Sequence, residues 1–113
     1  MITDLSYLKE FSDNDTEFMK EMIEMFIQRF EEDMPIIKQD LAGGNLSAVS
    51  AKIHKIKPSI TFMGINSLVK DIQQAENLAK DGKAGDELNQ LVAKMDEIFT
   101  EAIVELKAAI DSF

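Results

Sequence analysis

The 113-residue chain has no cysteine, no tryptophan, one histidine, two prolines and five glycines. Each scarcity excludes something. Without thiols there is no disulfide, no zinc–thiolate or iron–sulfur site and no cysteine nucleophile, and the composition suits a reducing compartment. An all-β chain needs turn residues about every ten positions, more than these prolines and glycines supply. Apolar runs such as Met25 to Ile27 are short, far below the roughly 20 residues that span a bilayer, and Met1 to Phe11 carries acids where a leader carries bases. The expected location is the cytoplasm, without membrane contact. Basic residues number 12 against 21 acidic ones, for a net charge of −9. Nucleic acid, which demands a broad basic face, is therefore not an expected partner.

The 45% of hydrophobic residues suffice for one core, and a chain of this length forms one domain, residues 1–113. Apolar residues recur every three and four positions in four segments. The stripes are Met19, Ile23, Phe26, Phe30, Met34, Ile37, Leu41; Leu46, Val49, Ile53, Ile56, Ile60, Met63; Leu68, Ile72, Ala75, Ala79; and Leu88, Leu91, Met95, Ile98, Ala102, Leu106, Ala109, Phe113. Such stripes predict amphipathic helices. Asn14 with Glu17 reads as a capping box opening the first, and Asn45 and Asn66 open the next two. Gly43-Gly44, Gly64 and the Gly82 to Gly85 stretch close them. Short connections predict an all-α, antiparallel up-down-up-down four-helix bundle. Thr3 to Glu10 is expected to add a short N-terminal helix pinned by Leu5, Leu8 and Phe11, and Pro35 to bend or restart the first long one.

Most catalytic inventories fail. There is no Gly-rich phosphate loop, no HExxH, no EF-hand spacing, no nucleophile elbow, and one histidine cannot build a di-iron bundle. Neither cofactor nor metal is expected. The charge pattern is more informative: Leu41 to Lys70 contains no Asp or Glu, yet holds Lys52, Lys55, Lys57, Lys70 and the single histidine, His54. All 21 acids lie elsewhere, an arrangement suited to an approaching anion.

At about 100° per residue, His54 projects about 130° from the centre of its apolar stripe and faces out. Exposed helical histidines ordinarily carry no role. Here the small residues Ser47, Ser50, Ala51, Pro58 and Thr61 surround it, and Lys57, at i+3, is the one lysine sharing its face. If the turn after this helix centres on Ile65, the antiparallel neighbour level with His54 is Glu76. A carboxylate there can take the proton of one imidazole nitrogen and leave the other nucleophilic. Gln73, one turn away, is a second candidate for that place. Phe18, Met22 and Met25 form a second apolar line beside the first stripe, a candidate partner-docking patch or a seat for the short N-terminal helix.

His54-Lys55-Ile56-Lys57-Pro58-Ser59 followed by Gly64 resembles the signature of histidine-containing phosphotransfer (HPt) domains. Asn14 to Phe18, Met22-Ile23 and Phe26 look like the opening of that family's first long helix, and Leu68 with Ala75-Glu76 falls where its third packs. The resemblance implies a phosphoryl carrier, not an enzyme. His54 would accept a phosphoryl group from a receiver-domain phospho-aspartate and donate it to another receiver's aspartate, with Lys57 as the phosphate's neighbour and Glu76 as a possible imidazole orienter. The implied partners are response-regulator receivers and the receiver of a hybrid sensor kinase, docking near Phe18, Met22, Met25, Lys55, Pro58 and Thr61. Magnesium would be the receiver's contribution. No ATP site is present, so self-phosphorylation is not expected, and the chain should act as a monomer. Pro58 stands where the family more often has glycine, which bears on docking geometry. The alternatives are a receiver-docking module that transfers nothing and a structural helical adaptor.

Overall fold

A computed structural model describes residues 2–113, and every regular element in it is helical. Five α-helices follow in order: α1 (Ser6–Phe11), α2 (Thr16–Ala42), α3 (Leu46–Phe62), α4 (Val69–Lys80) and α5 (Asp86–Ser112), with a 3-10 turn, Asn66–Leu68, before α4. The long helices enclose the core in a closed cycle: α2 packs on α3 and α5, and α4 packs on the same two. Among the described residues, no helix is long and apolar enough to cross a membrane.

The helix starts depart from the simplest sequence reading. Asp13 and Asn14 both take positive φ, 53° and 60°, a conformation that Asn and Asp tolerate better than other non-glycine residues. Asn14 therefore belongs to the loop, and the cap of α2 is Asp15, whose carboxylate accepts from the Phe18 N–H at 3.2 Å. Asn45 does cap α3. Asn66 caps nothing through its side chain; it begins the 3-10 turn. Asp4 holds the Ser6 N–H and hydroxyl, so α1 begins at Ser6 and not Thr3. Neither proline interrupts its helix: α2 continues through Pro35 and α3 through Pro58. Each removes one donor, so the penalty is a missing hydrogen bond without a break in the helix.

The first three stripes are buried except at Leu41 and Leu46, which are half-buried next to the loop that joins α2 to α3. On α5 the centre of the stripe lies one residue further along than expected. Val92 and Phe99 are buried whereas Leu91 and Ile98 are half-buried, because Phe99 packs against Phe30 of α2. Leu8 of α1 is fully buried and joins the same core.

The N-terminal segment is tied down at two places. Glu105 of α5 accepts from the Ile2 N–H (2.8 Å), the Thr3 N–H (3.0 Å) and the Thr3 hydroxyl (2.9 Å). Burial alone would raise the Glu105 carboxyl; the hydrogen bonds from Thr3 and Ile2 outweigh it and hold its pKa below the ordinary value. Further along, the Asp4 N–H donates to the Met63 carbonyl at 3.1 Å, which brings the chain against Gly64. A Cβ on Gly64 would lie 2.0 Å from the Asp4 carbonyl oxygen, and its φ is +63°. Glycine is required there on both counts.

Candidate functional site: the His54 groove

The middle of α3 and the second half of α4 face each other across a shallow groove. Val49, Ile53, Ile56 and Ile60 anchor α3 in the core, and Ile72, Ala75 and Ala79 anchor α4. Positions 54, 57, 73 and 76 are thereby left at the rim between the two helices. The structure brings all four together.

His54 Nδ1 lies 3.0 Å from Glu76 Oε2, and Lys57 Nζ lies 2.8 Å from Glu76 Oε1. Lys57 also donates to Gln73 Oε1 at 2.9 Å, and Gln73 in turn donates through its amide nitrogen to Asn77 Oδ1 at 3.0 Å. Among the described residues Glu76 is the only buried polar or charged one, 5% exposed. Burial would raise its pKa, but the hydrogen bonds and charges of Lys57 and His54 win, and the carboxyl titrates below its usual range. An ionised carboxylate can only accept. His54 Nδ1 must then carry the proton, which leaves Nε2 with its lone pair on a side chain that is 73% exposed.

The other expected residues fall in different places. Gln73 touches Lys57 and not the imidazole, so it holds the lysine and does not stand in for Glu76. Lys55 is exposed on the groove, which Ser47, Ser50 and Ala51 also line. Thr61 and Pro58 are exposed further along α3. Phe18, Met22 and Met25 do not form one free line. The Phe18 ring meets the Phe11 ring of α1 at 6.1 Å, Met22 is half-buried against the core, and Met25 alone is largely exposed. Phe11 and Tyr7 in turn meet Phe62 of α3 at 5.2 Å each, edge to face, so α1 covers part of the patch with rings.

Two residues that the sequence reading did not single out also line the groove, Asn77 and Lys80 of α4. Their signal was the helical spacing: Lys80 stands four residues after Glu76 and so shares its face. Among the described residues there is no group of three metal-ligating side chains.

A comparison with curated proteins finds no match, and neither does one with solved structures. The family comparison does: the Hpt domain model matches residues 21–112, from the first turns of α2 to the end of α5. A match over most of the chain, on an all-helical fold carrying an exposed histidine, makes this protein a member of the Hpt domain family.

Proposed function

We propose that the chain is a phosphorelay carrier in which His54 takes a phosphoryl group from a receiver-domain phospho-aspartate and passes it to the aspartate of a second receiver. Hpt domains in general are phosphocarrier modules of two-component phosphorelays, and their usual partners are the receiver domains of response regulators. The observation that carries the finer reading is the pairing of an exposed imidazole with a buried carboxylate at 3.0 Å. It turns the lone pair of Nε2 toward solvent, where an in-line partner can reach it.

In the transfer step Nε2 attacks phosphorus, the N–P bond forms, the P–O bond to the donor aspartate breaks, and the aspartate leaves as a carboxylate. No base is required, because Nε2 attacks with its lone pair and has no proton to lose. The ring becomes positively charged once phosphorylated, and the Glu76 carboxylate on Nδ1 compensates it. Lys57 and Gln73 keep that carboxylate in place. Return of the phosphoryl group to a second aspartate is the same step reversed. The chain contributes no metal and no nucleotide in this reading, and magnesium belongs to the receiver.

We also read the helices as an antiparallel up-down-up-down bundle forming one domain. Cross-helix partners support it, since residue numbers rise on one helix as they fall on the other: His54 with Glu76 and Lys57 with Gln73, Asp71 with Lys94 and Gln74 with Glu87, Glu31 with Lys107 and Lys38 with Asp96. Receivers would dock over Lys55, Pro58 and Thr61, with Met25 and the exposed edge of Met22 as the apolar contribution. The test is a two-step transfer. The chain is loaded from one phosphorylated receiver, purified, and mixed with a second receiver and magnesium. Label that moves to the second receiver supports the carrier, whereas binding of both receivers without any label on the chain would leave only a docking module.

A further inference from the structure

We propose that a second groove, between the end of α3 and the start of α4, binds a small organic carboxylate with an apolar tail, the carboxylate on Lys70 and the tail along Ile60 and Ile72. His54 does not line this groove, and the site stands apart from the reading of His54 as a phosphoryl acceptor.

The groove holds about 580 Å³, inside the range of about 300 to 1,000 Å³ usual for small-molecule sites. Ile60 and Ile72, each 1% exposed, lie at its floor, and Val69, 46% exposed, forms an apolar edge. Its charged lining is Lys57 and Lys70, with no acid, on a chain whose net charge is −9. The two lysines differ in what they already hold. Lys57 donates to Glu76 and Gln73 at 2.8 and 2.9 Å. Lys70 is exposed and has no acidic partner among the described residues, and the neighbouring Asp71 is turned to Lys94 of α5. The acid-free stretch of sequence runs on past His54 to Lys70, further than an anion at the imidazole requires. A second anion at Lys70 accounts for that extension.

The shape of the groove selects the occupant. Contacts between His54 and Glu76 and between Lys57 and Gln73 give the register of the two helices, so the groove runs along them from Lys70 at one end to Asn77 at the other. At 1.5 Å per residue that distance is about 10 Å, the length of a chain of about eight carbons. Both walls are helices, whose main-chain groups are used internally, and they offer an extended peptide no strand edge to pair with. A small amphipathic anion needs only the apolar floor and the free ammonium.

The test is a titration of the full chain with hexanoate, octanoate and octylammonium at millimolar concentrations, below micelle formation, followed by methyl NMR. Octanoate is expected to give saturable shifts at Ile60, Val69 and Ile72, and to bind more tightly than hexanoate by about two- to fourfold per added methylene. Octylammonium, with the same tail and the opposite charge, should bind more weakly. Lys70→Ala should weaken octanoate by about two- to fivefold, the size of one exposed ion pair, whereas Lys83→Ala, an exposed lysine outside the groove, should leave binding unchanged. Octylammonium binding as tightly as octanoate, wild-type affinity in Lys70→Ala, an equal loss in Lys83→Ala, or shifts that never saturate would overturn the site. Shifts of the same methyls on raising the protein concentration alone would assign the groove to a second copy of the chain, and tighter binding there of an acidic leucine-containing peptide than of octanoate would assign it to a protein partner. Either result would overturn the proposal.

Discussion

Glu76 and Glu105 are two glutamates placed against a neighbouring segment, and they are used in opposite ways. Glu105 binds the N–H groups of Ile2 and Thr3 and the Thr3 hydroxyl. All of these are groups whose only need is a partner, so the result is a clamp. Glu76 binds two side chains, Lys57 and His54, and the second of them stays largely in solvent. Both carboxyls titrate below the usual glutamate range, which makes both ionised acceptors at neutral pH. A lowered carboxyl is thus no sign of a reactive site by itself. What distinguishes Glu76 is the exposure of the group it orients.

The largest expected effect falls on the clamped end. Gly64→Ala places a Cβ 2.0 Å from the Asp4 carbonyl and puts alanine at φ +63°, so the N-terminal segment must detach, at a cost of about 3 kcal/mol in urea unfolding. Phosphoryl transfer by the folded fraction should be nearly unchanged. Next, Glu105→Ala strands three donors at the edge of the core and is expected to cost about 2 kcal/mol, again with transfer retained. A loss of transfer in either variant that exceeds the loss of folded protein would erase the contrast between clamp and groove.

Glu76→Gln should behave the other way round. Lys57 and His54 both reach water, so stability changes by about 1 kcal/mol or less, whereas transfer slows on the order of tenfold because Nδ1 loses its orienting charge. Proton NMR of the imidazole checks the cause, since the Nδ1-protonated form should no longer dominate. The smallest effect is the pH dependence. A carboxyl whose folded pKa is depressed stabilises the protein fully above its unfolded pKa and loses that contribution as the pH falls through the folded value. The stability gap between the wild type and Glu105→Gln should therefore close in acid, and a gap that widens instead would contradict the clamp.

Much of this was legible in the sequence because helical periodicity is a strong signal. The stripes located the core, and the acid-free stretch around His54 with a register argument placed Glu76 beside it. What escaped was local or tertiary. Asp13 and Asn14 adopt left-handed backbone that no capping pattern announces, which moved the cap to Asp15. Phe99 reached the core in place of Ile98 because its ring meets Phe30, a contact between residues far apart in the chain. The partners of the lysines were hidden for the same reason. Spacing shows which face Lys57 occupies, but not that Glu76 and Gln73 hold its ammonium, nor that Lys80 arrives from the other wall.

The most direct test of the central claim is to incubate the wild type and His54→Gln with a panel of phosphorylated receivers and follow acid-labile label on this chain. His54 is the only histidine, and its side chain is largely exposed, so the substitution should leave the fold intact by circular dichroism. The account predicts label on the wild type from at least one receiver and none on His54→Gln. Label that persists on the folded variant, or a wild type that no receiver phosphorylates, would contradict it.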